Sequence, residues 1–278
     1  MDEIRKNAPL SFKSQNRLVT SSDYEYYIKT NYKNIISDIK ILNNDEYLKQ
    51  HIKYLYDNGL KNPQEDTKIL YNQIKFSNSC NFNNLYVYMV PTNSFQEYLT
   101  PAQKEFITDG LNKIKTITTQ IIPIDPVYVY MDFYLKKLDD ALINIDDTSL
   151  TKLLINKSYS TRRSSSSIAL DIKKIFDDNF SKEKSKLGQV IDVYKIANDI
   201  INLDGVDNIQ TYRSDINLSI NGLSFVIWNP TYSGTDIYTF TQNTKLENFK
   251  FPIFFNIENI MNRIEVVDKS STIKIADF

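Results

Sequence analysis

The stretch SQNRLVTSSDYEYYIKTNYKNIISDIKIL (residues 14–42) contains one change of periodicity, and that change points to the fold class. Thr20 and Asp23 have the spacing of a capping box, in which each side chain satisfies a backbone amide at the start of a helix. Aromatic and apolar residues then recur at helical spacing. Further along, Ile39 and Ile41 alternate with polar residues, as in a half-buried strand. The stretch therefore predicts a capped helix that leads into a strand.

The alternation of helix and strand continues along the chain. A second capping box runs from Thr100 to Gln103, with Pro101 at the first helical position, and predicts another helix. Its predicted buried face consists of Phe106, Ile107, Leu111 and Ile114. Pro123 and Pro126 are expected to break the chain after this helix. Strands are predicted at residues 85–90, 127–135 and 209–213, and further helices at residues 47–56, 168–176 and 190–203.

The order of these elements predicts an α+β fold, with two small helix-on-sheet units in series followed by a β-rich carboxyl-terminal module. The predicted domains are residues 1–125, with a polar insertion at about 43–84, then residues 126–213 and residues 214–278. The first residues start abruptly for a domain, which suggests that the chain is the end of a longer protein.

Aromatic residues are abundant, with 19 Tyr and 15 Phe against one Trp. Tyrosine combines a large apolar area with a polar tip, so it suits surfaces that become buried in assemblies. A small β module leaves part of its aromatic set exposed unless a partner covers it. The candidate interface residues in the carboxyl-terminal module are Phe225, Trp228, Tyr238, Phe240, Phe251 and Phe254.

Composition excludes several classes of function. The chain of 278 residues has a formal net charge of −1, which lacks the electrostatic footprint of a general nucleic-acid binder. One cysteine, Cys80, and one histidine, His51, leave no cysteine zinc site, internal disulfide or histidine-based catalytic set. We expect no metal, no cofactor and no membrane insertion, and folding in a cytoplasm, because no secretory or membrane-spanning run is present.

Two polar features leave alternatives open. The acidic pairs Asp139–Asp140, Asp146–Asp147 and Asp177–Asp178 could serve a carboxylate-based hydrolase, such as a glycosidase, or could simply be solvated. Arg162 and Arg163, inside STRRSSSS (residues 160–167), could clamp an anion or a partner carboxylate, or could lie in a solvated loop. No glycine-rich phosphate loop is present, and the expected catalytic set is none.

Several segments resemble the baseplate wedge proteins of T-even-like contractile-tailed phages, within the baseplate J-like family. In order along the chain these segments are EIRKNAPLSFKSQNRLVTSSDYE (residues 3–25), YVYMVP (residues 86–91), LTPAQKEFIT (residues 99–108), PIDPVYVYMDF (residues 123–133) and DGVDNIQTYR (residues 204–213). The tail from GLSFVIWNP (residues 222–230) resembles the carboxyl-terminal region of marine phage members. The order of the segments, rather than one motif, carries the resemblance.

The resemblance implies a structural subunit of the virion tail baseplate, made in the bacterial host cytoplasm. Such proteins pair with a second copy of themselves, contact other wedge and tail proteins, and link neighbouring wedges into the inner baseplate ring. They transmit the change that triggers sheath contraction, and they bring no catalytic residues. This chain departs from the family by its insertion at about residues 43–84 and by the absence of the family's amino-terminal half.

Overall fold

The structure, a computed structural model, describes residues 18–57, 83–93, 95–137, 143–229 and 237–268. It confirms the α+β class, with helices and mixed sheets. The chain forms two compact units. The first consists of Met1–Val127 with Lys186–Gly188 and Glu247–Phe251, and the second of Tyr128–Ser185, Gln189–Leu246 and Pro252–Phe278.

The amino-terminal unit is a three-stranded sheet with helices packed on it. Its elements are α1 (Ser21–Asn31), β1 (Ile36–Asn43), α2 (Asn44–Asp57), β2 (Asn84–Pro91), α3 (Pro101–Asn112) and β3 (Gln120–Ile124). The strand order is β1-β2-β3, with β1 antiparallel and β3 parallel to β2. The predicted helix, strand, helix, strand and helix therefore all form where the sequence places them.

Both predicted capping boxes are present. The Thr20 hydroxyl accepts a hydrogen bond from the Asp23 amide at 3.2 Å, and the Thr20 amide donates to Asp23 Oδ2 at 2.8 Å. Partial burial favours a higher pKa for Asp23, but the hydrogen bonds that its carboxylate receives from Thr20 and from the Val19 amide hold this pKa below its usual value. Thr100 and Gln103 form the equivalent pair at the start of α3. Each box satisfies helix amides that have no other intrahelical partner.

Pro123 does not break the chain as the sequence analysis expected. It lies inside β3 and is the register partner of Val87 on β2. The strand order places β3 at an edge of the sheet, with a neighbouring strand on one side only. Proline, which has no amide proton to donate, is tolerated at such an edge.

The remaining elements begin with β4 and lie mainly in the second unit. They are β4 (Val127–Phe133), β5 (Thr151–Lys157), α4 (Ser165–Phe180), β6 (Val190–Ile191), α5 (Val193–Ile201), β7 (Val206–Arg213), β8 (Leu218–Asn221), β9 (Phe225–Trp228), β10 (Tyr238–Phe240), β11 (Thr244–Lys245), β12 (Lys250–Phe254) and β13 (Ile264–Asp268). Two 3₁₀ helices, Ile145–Leu150 and Ile257–Arg263, connect some of them. The helix predicted from residue 190 starts later, because Asp192 caps it by accepting from the Lys195 amide at 3.0 Å.

Of the described strands after residue 213, all but β10 pair with a strand that precedes this residue. One four-stranded sheet has the order β10-β9-β4-β12, another has the order β13-β5-β7-β8, and β11 pairs with β6 in a two-stranded sheet. In the second sheet β13 runs parallel to β5, while β7 is antiparallel to both β5 and β8. These partners come from the segment predicted as the second α+β unit, so residues 214–268 complete its sheets through long-range pairing.

Candidate interaction surfaces

The six candidate interface aromatics do not lie on the surface as a set. Phe225, Trp228, Phe251 and Phe254 are buried within their own chain, while Tyr238 and Phe240 are half-buried. The prediction is therefore corrected for the four buried residues. The physical reason is sheet position: β9 lies between β10 and β4, and all four of its residues are buried.

Aromatic rings form the core of the second unit. Phe133 contacts Phe176, Phe225 and Phe254, with ring centroids 5.2, 5.7 and 5.2 Å apart. Phe180 joins the cluster through Phe176 and Phe254. Edge-to-face and offset arrangements of this kind add to the stabilisation that burial alone provides. These phenylalanines are therefore packing residues.

Exposed aromatic side chains occur in both units, for example at Tyr159 and Tyr194 in the second. Phe95, Tyr98 and Phe106 are 97%, 42% and 60% exposed, and we call these three residues the aromatic patch. Phe106 was predicted on the buried face of α3, and this prediction is wrong. The helix buries Ile107 and Leu111, and Phe106 lies about 100° around the helix axis from Ile107.

Contacts between the surrounding segments hold the aromatic patch in place. The Phe106 ring meets the buried Tyr32 ring edge to face, with centroids 5.6 Å apart. Tyr32 ends α1, and the turn after it receives two hydrogen bonds from Thr92. The Thr92 amide donates to the Ile35 carbonyl at 2.8 Å, and its hydroxyl donates to the Lys33 carbonyl at 3.3 Å.

A side-chain contact then ties the following loop to α3. Gln96 Nε2 donates to Gln103 Oε1 at 2.8 Å and to the Tyr98 carbonyl at 2.6 Å. The Phe95 amide donates to Asn93 Oδ1 at 3.0 Å. All three aromatic residues therefore border one structure, made of the end of α1, the loop after β2 and the first half of α3.

Gly110 explains how Tyr32 fits beneath the patch. A Cβ atom at this position would overlap the Tyr32 hydroxyl oxygen and come within 3.2 Å of its Cζ. Glycine inside a helix costs roughly 1 kcal/mol relative to alanine. Here the missing side chain makes room for the ring on which Phe106 rests.

The exposed charges around the patch are of both signs. Lys33 follows Tyr32 on the turn, while Glu105 and Asp109 lie one helical turn apart on α3 beside Phe106, and all three are exposed. Glu97, between Phe95 and Tyr98, is exposed as well, so the segments that carry the three aromatic residues also carry exposed charges of both signs.

Two of the acidic pairs contain carboxylates that bind cationic side chains. Asp147 contacts Arg213 Nη2 at 2.9 Å, and Asp177 contacts Lys173 at 3.4 Å. Asp139 and Asp140 lie outside the described residues. Of the two basic residues at 162 and 163, Arg162 is exposed. Arg163 clamps a carboxylate of its own chain: it binds Asp171, the Ser167 hydroxyl at 2.9 Å and the Asp204 carbonyl at 3.0 Å.

The second unit contains a buried ion pair that the sequence did not predict. Arg263, at the end of the second 3₁₀ helix, binds the buried Asp132 carboxylate on β4 and the carbonyls of Thr148 and Thr151. Its guanidinium also lies over the Phe133 ring, 5.6 Å from the centroid. Burial raises the pKa of Asp132 to about 6, although the charge of Arg263 opposes this shift. The alternation of residues along β4 carries no signal for this pair, because the partners are far apart in sequence.

Within the described ranges, no group of three or more His, Cys, Asp or Glu side chains is arranged to hold a metal ion. The described helices include none that is both long and apolar enough to span a membrane. His51 lies in α2, and Cys80 lies outside the described residues.

Comparison with known proteins finds similar solved structures but no matching family. No family model matches the chain. No curated protein matches it. Among solved structures, one similar chain belongs to the cryo-EM structure of the anti-feeding prophage (AFP) baseplate, 6-fold symmetrised. The likeness has a TM-score of 0.47 at 9% identity, and it covers 91% of this chain and 41% of that one. The chain therefore spans about two fifths of the length of this neighbour, and at this TM-score the likeness supports no statement about function.

Proposed function

We propose that this chain is a non-enzymatic structural subunit of a contractile phage tail baseplate wedge. The observation that carries the proposal is the order of the five sequence segments that resemble wedge proteins. The described parts of these segments fall on regular elements: the start of α1, strand β2, the start of α3, strands β3 and β4, and strand β7. Resemblance confined to loops would be weaker support, because loop sequences vary more freely than the elements they connect.

In this role the chain pairs with a second copy of itself and with other baseplate wedge and tail proteins. It links neighbouring wedges into the inner baseplate ring and transmits the change that triggers sheath contraction. The site of action is the virion tail, after assembly in the host cytoplasm, without nucleic-acid binding or membrane insertion. The near-neutral charge suits such a subunit, because its partners are other proteins.

The hydrolase alternative receives no support from the described residues. Catalysis by paired carboxylates needs two acids about 5–10 Å apart across a cleft, one of them with a raised pKa. The acid with a raised pKa in the second unit, Asp132, is buried and bound to Arg263. Asp147 is likewise bound, to Arg213. These carboxylates contribute to packing.

The proposal is tested by co-expressing the chain with the tail genes that neighbour its own gene. Tail particles are separated on a density gradient, and the chain is located with antibody-bound gold under the electron microscope. We expect it at the baseplate end of the tail, and we expect tails assembled without it to lack a complete baseplate. Normal tails in the absence of the chain, or gold distributed along the tube, would refute the proposed function.

A further inference from the structure

We infer that Asn221 and Gly222 form a deamidation site that the pairing of β8 with β7 protects. The inference concerns the covalent chemistry of this chain and does not rest on the proposed function. In an asparagine–glycine pair the backbone nitrogen approaches the side-chain carboxamide most freely, because glycine carries no Cβ atom. Among the described residues other than its chain neighbours, none lies within 4 Å of the position that a Gly222 Cβ would occupy. Asn221 is exposed.

The reaction needs only the groups of this dipeptide and water. The Gly222 amide nitrogen gives up its proton and forms a bond to Cγ of Asn221, and the bond between Cγ and the side-chain nitrogen breaks. That nitrogen leaves as ammonia with the proton that the amide gave up, and a cyclic imide remains. Water then opens one of the two imide carbonyls, which yields aspartate or isoaspartate. No electrons are transferred, so no oxidant or reductant is required.

Hydrogen bonds to β7 restrain both reacting groups. The Gly222 amide donates to the Ile209 carbonyl at 3.0 Å, so its proton is engaged. Asn221 Oδ1 accepts from Nε2 of Gln210, its register partner, at 3.0 Å. The Thr211 hydroxyl donates to the Gly222 carbonyl at 2.9 Å. The nitrogen and the carboxamide must turn toward each other before they react, so these bonds must break first.

Little buried surface holds β8 in its sheet. The strand has four residues, lies at the edge of its sheet and pairs with β7 alone. Two of its side chains are half-buried and the other two are exposed. Segments with few buried apolar contacts and exposed backbone hydrogen bonds open at a low cost in free energy. Deamidation therefore proceeds from the opened strand, and its rate measures how often β8 separates from β7.

The products alter the strand permanently. Aspartate places a negative charge where the neutral carboxamide accepted a hydrogen bond from Gln210. Isoaspartate routes the main chain through the former side chain and lengthens it by an additional atom. Extra main-chain length disrupts a strand ladder locally, so the modified β8 should separate from β7 more readily than the original strand.

The experiment follows ammonia loss at Asn221 by mass spectrometry of peptides from the purified chain, after incubation in mildly alkaline buffer. Hydrogen exchange at the Gly222 amide is measured in parallel, and the same chain unfolded in urea is the open reference. We expect the folded chain to deamidate at Asn221 at least about tenfold more slowly than the unfolded chain, since the loss of one net hydrogen bond corresponds to roughly that factor.

Gln210→Met tests the bond that holds the carboxamide. It keeps a side chain of similar length, removes the donor to Asn221 and leaves the main-chain pairing in place. The rate at Asn221 should rise about two- to tenfold. Gln96→Met is the matched control, because Gln96 donates its side-chain hydrogen bond to Gln103 in the first unit, and the rate at Asn221 should stay unchanged. Melting curves verify that both variants fold.

A second measurement uses the unchanged chain and so needs no variant. Low urea concentrations should raise deamidation and Gly222 exchange together, because both require the amide to leave the Ile209 carbonyl. Equal rates in the folded and unfolded chains, or exchange that rises without deamidation, would overturn the protection by pairing. No ammonia loss at Asn221 in the unfolded chain would overturn the site itself. These outcomes leave the wedge role unaffected, since gold labelling of tails tests that role separately.

Discussion

The phenylalanines around Phe225 and the aromatic patch around Phe106 occupy opposite environments, although both occur in segments rich in apolar residues. Phe225 is fully buried against Phe133, Phe176 and Phe254. Phe106 is mostly exposed, and its ring contacts the Tyr32 ring in an edge-to-face arrangement. From the sequence, Phe225 is predicted at an interface and Phe106 on the buried face of a helix. The difference shows that aromatic content does not separate core from surface, because burial depends on which strands and helices meet.

The largest expected effect comes from truncating the buried cluster. Phe225→Ala should lower the free energy of unfolding by about 3–5 kcal/mol, because the vacated volume cannot be refilled. Phe106→Ala, the matched change in the patch, should cost less than about 1 kcal/mol. Urea unfolding of both variants provides the measurement. Equal losses would show that the patch is as well packed as the core.

The next effect concerns the polar side of the same buried region. Arg263→Gln should cost about 3 kcal/mol near neutral pH, because it leaves the Asp132 carboxylate buried without its counter-charge. Lys152→Gln is a matched control, since Lys152 forms an exposed ion pair with Glu265 and its loss should cost less than about 1 kcal/mol. A similar loss for both variants would mean that the buried pair has no special role.

The cost of Arg263→Gln should also depend on pH. The folded-state pKa of Asp132 is raised to about 6, so its stabilising contribution is present at low pH and is lost as pH rises through that value. Without Arg263 the pKa of Asp132 should rise further. The variant should therefore be least destabilised near pH 5 and most destabilised near pH 8, and urea unfolding at both values measures this. A cost that does not change with pH would show that Asp132 does not titrate in this range.

A smaller effect tests the support of the aromatic patch. Gly110→Ala should lower stability by about 1–2 kcal/mol, because the steric overlap with Tyr32 outweighs the better helix propensity of alanine. Tyr32→Phe removes the hydroxyl oxygen that the new Cβ would overlap. Gly110→Ala should therefore cost less in the Tyr32→Phe background, as thermal melting of the double-mutant cycle will show. Purely additive costs would mean that the glycine serves another contact.

The smallest effect belongs to a helix cap. Thr20→Ala should cost about 1 kcal/mol, because the Asp23 amide loses the hydroxyl acceptor of the cap and keeps only the Thr20 carbonyl. Thr100→Ala at the start of α3 is the matched change and should cost a similar amount. A fall in tail assembly with an unchanged melting temperature would show that Thr20 takes part in a contact with a partner.

The local features of the fold could be predicted from the sequence, but the aromatic patch could not. Both capping boxes and the strands at β2 and β4 occur where the pattern of residues placed them. The aromatic patch escaped prediction because Phe95 and Tyr98 lie in a loop without periodicity, and because Phe106 differs from Ile107 only by its angle around α3. The packing of α3 against the core cluster of the first unit, which includes residues of the sheet, decides which of these two side chains is covered.

The sequence by itself determined the elements, the two capping boxes and the exclusion of an internal disulfide and of a cysteine zinc site within one chain. A cap needs only groups three residues apart, and a residue count needs no structure at all. The tertiary structure alone decided that β9 pairs with β4, that β13 pairs with β5, and that Arg263 reaches Asp132. Those contacts join segments far apart along the chain, and their formation depends on the packing of the whole unit. The same packing put Phe225 in the core and left Phe106 on the surface.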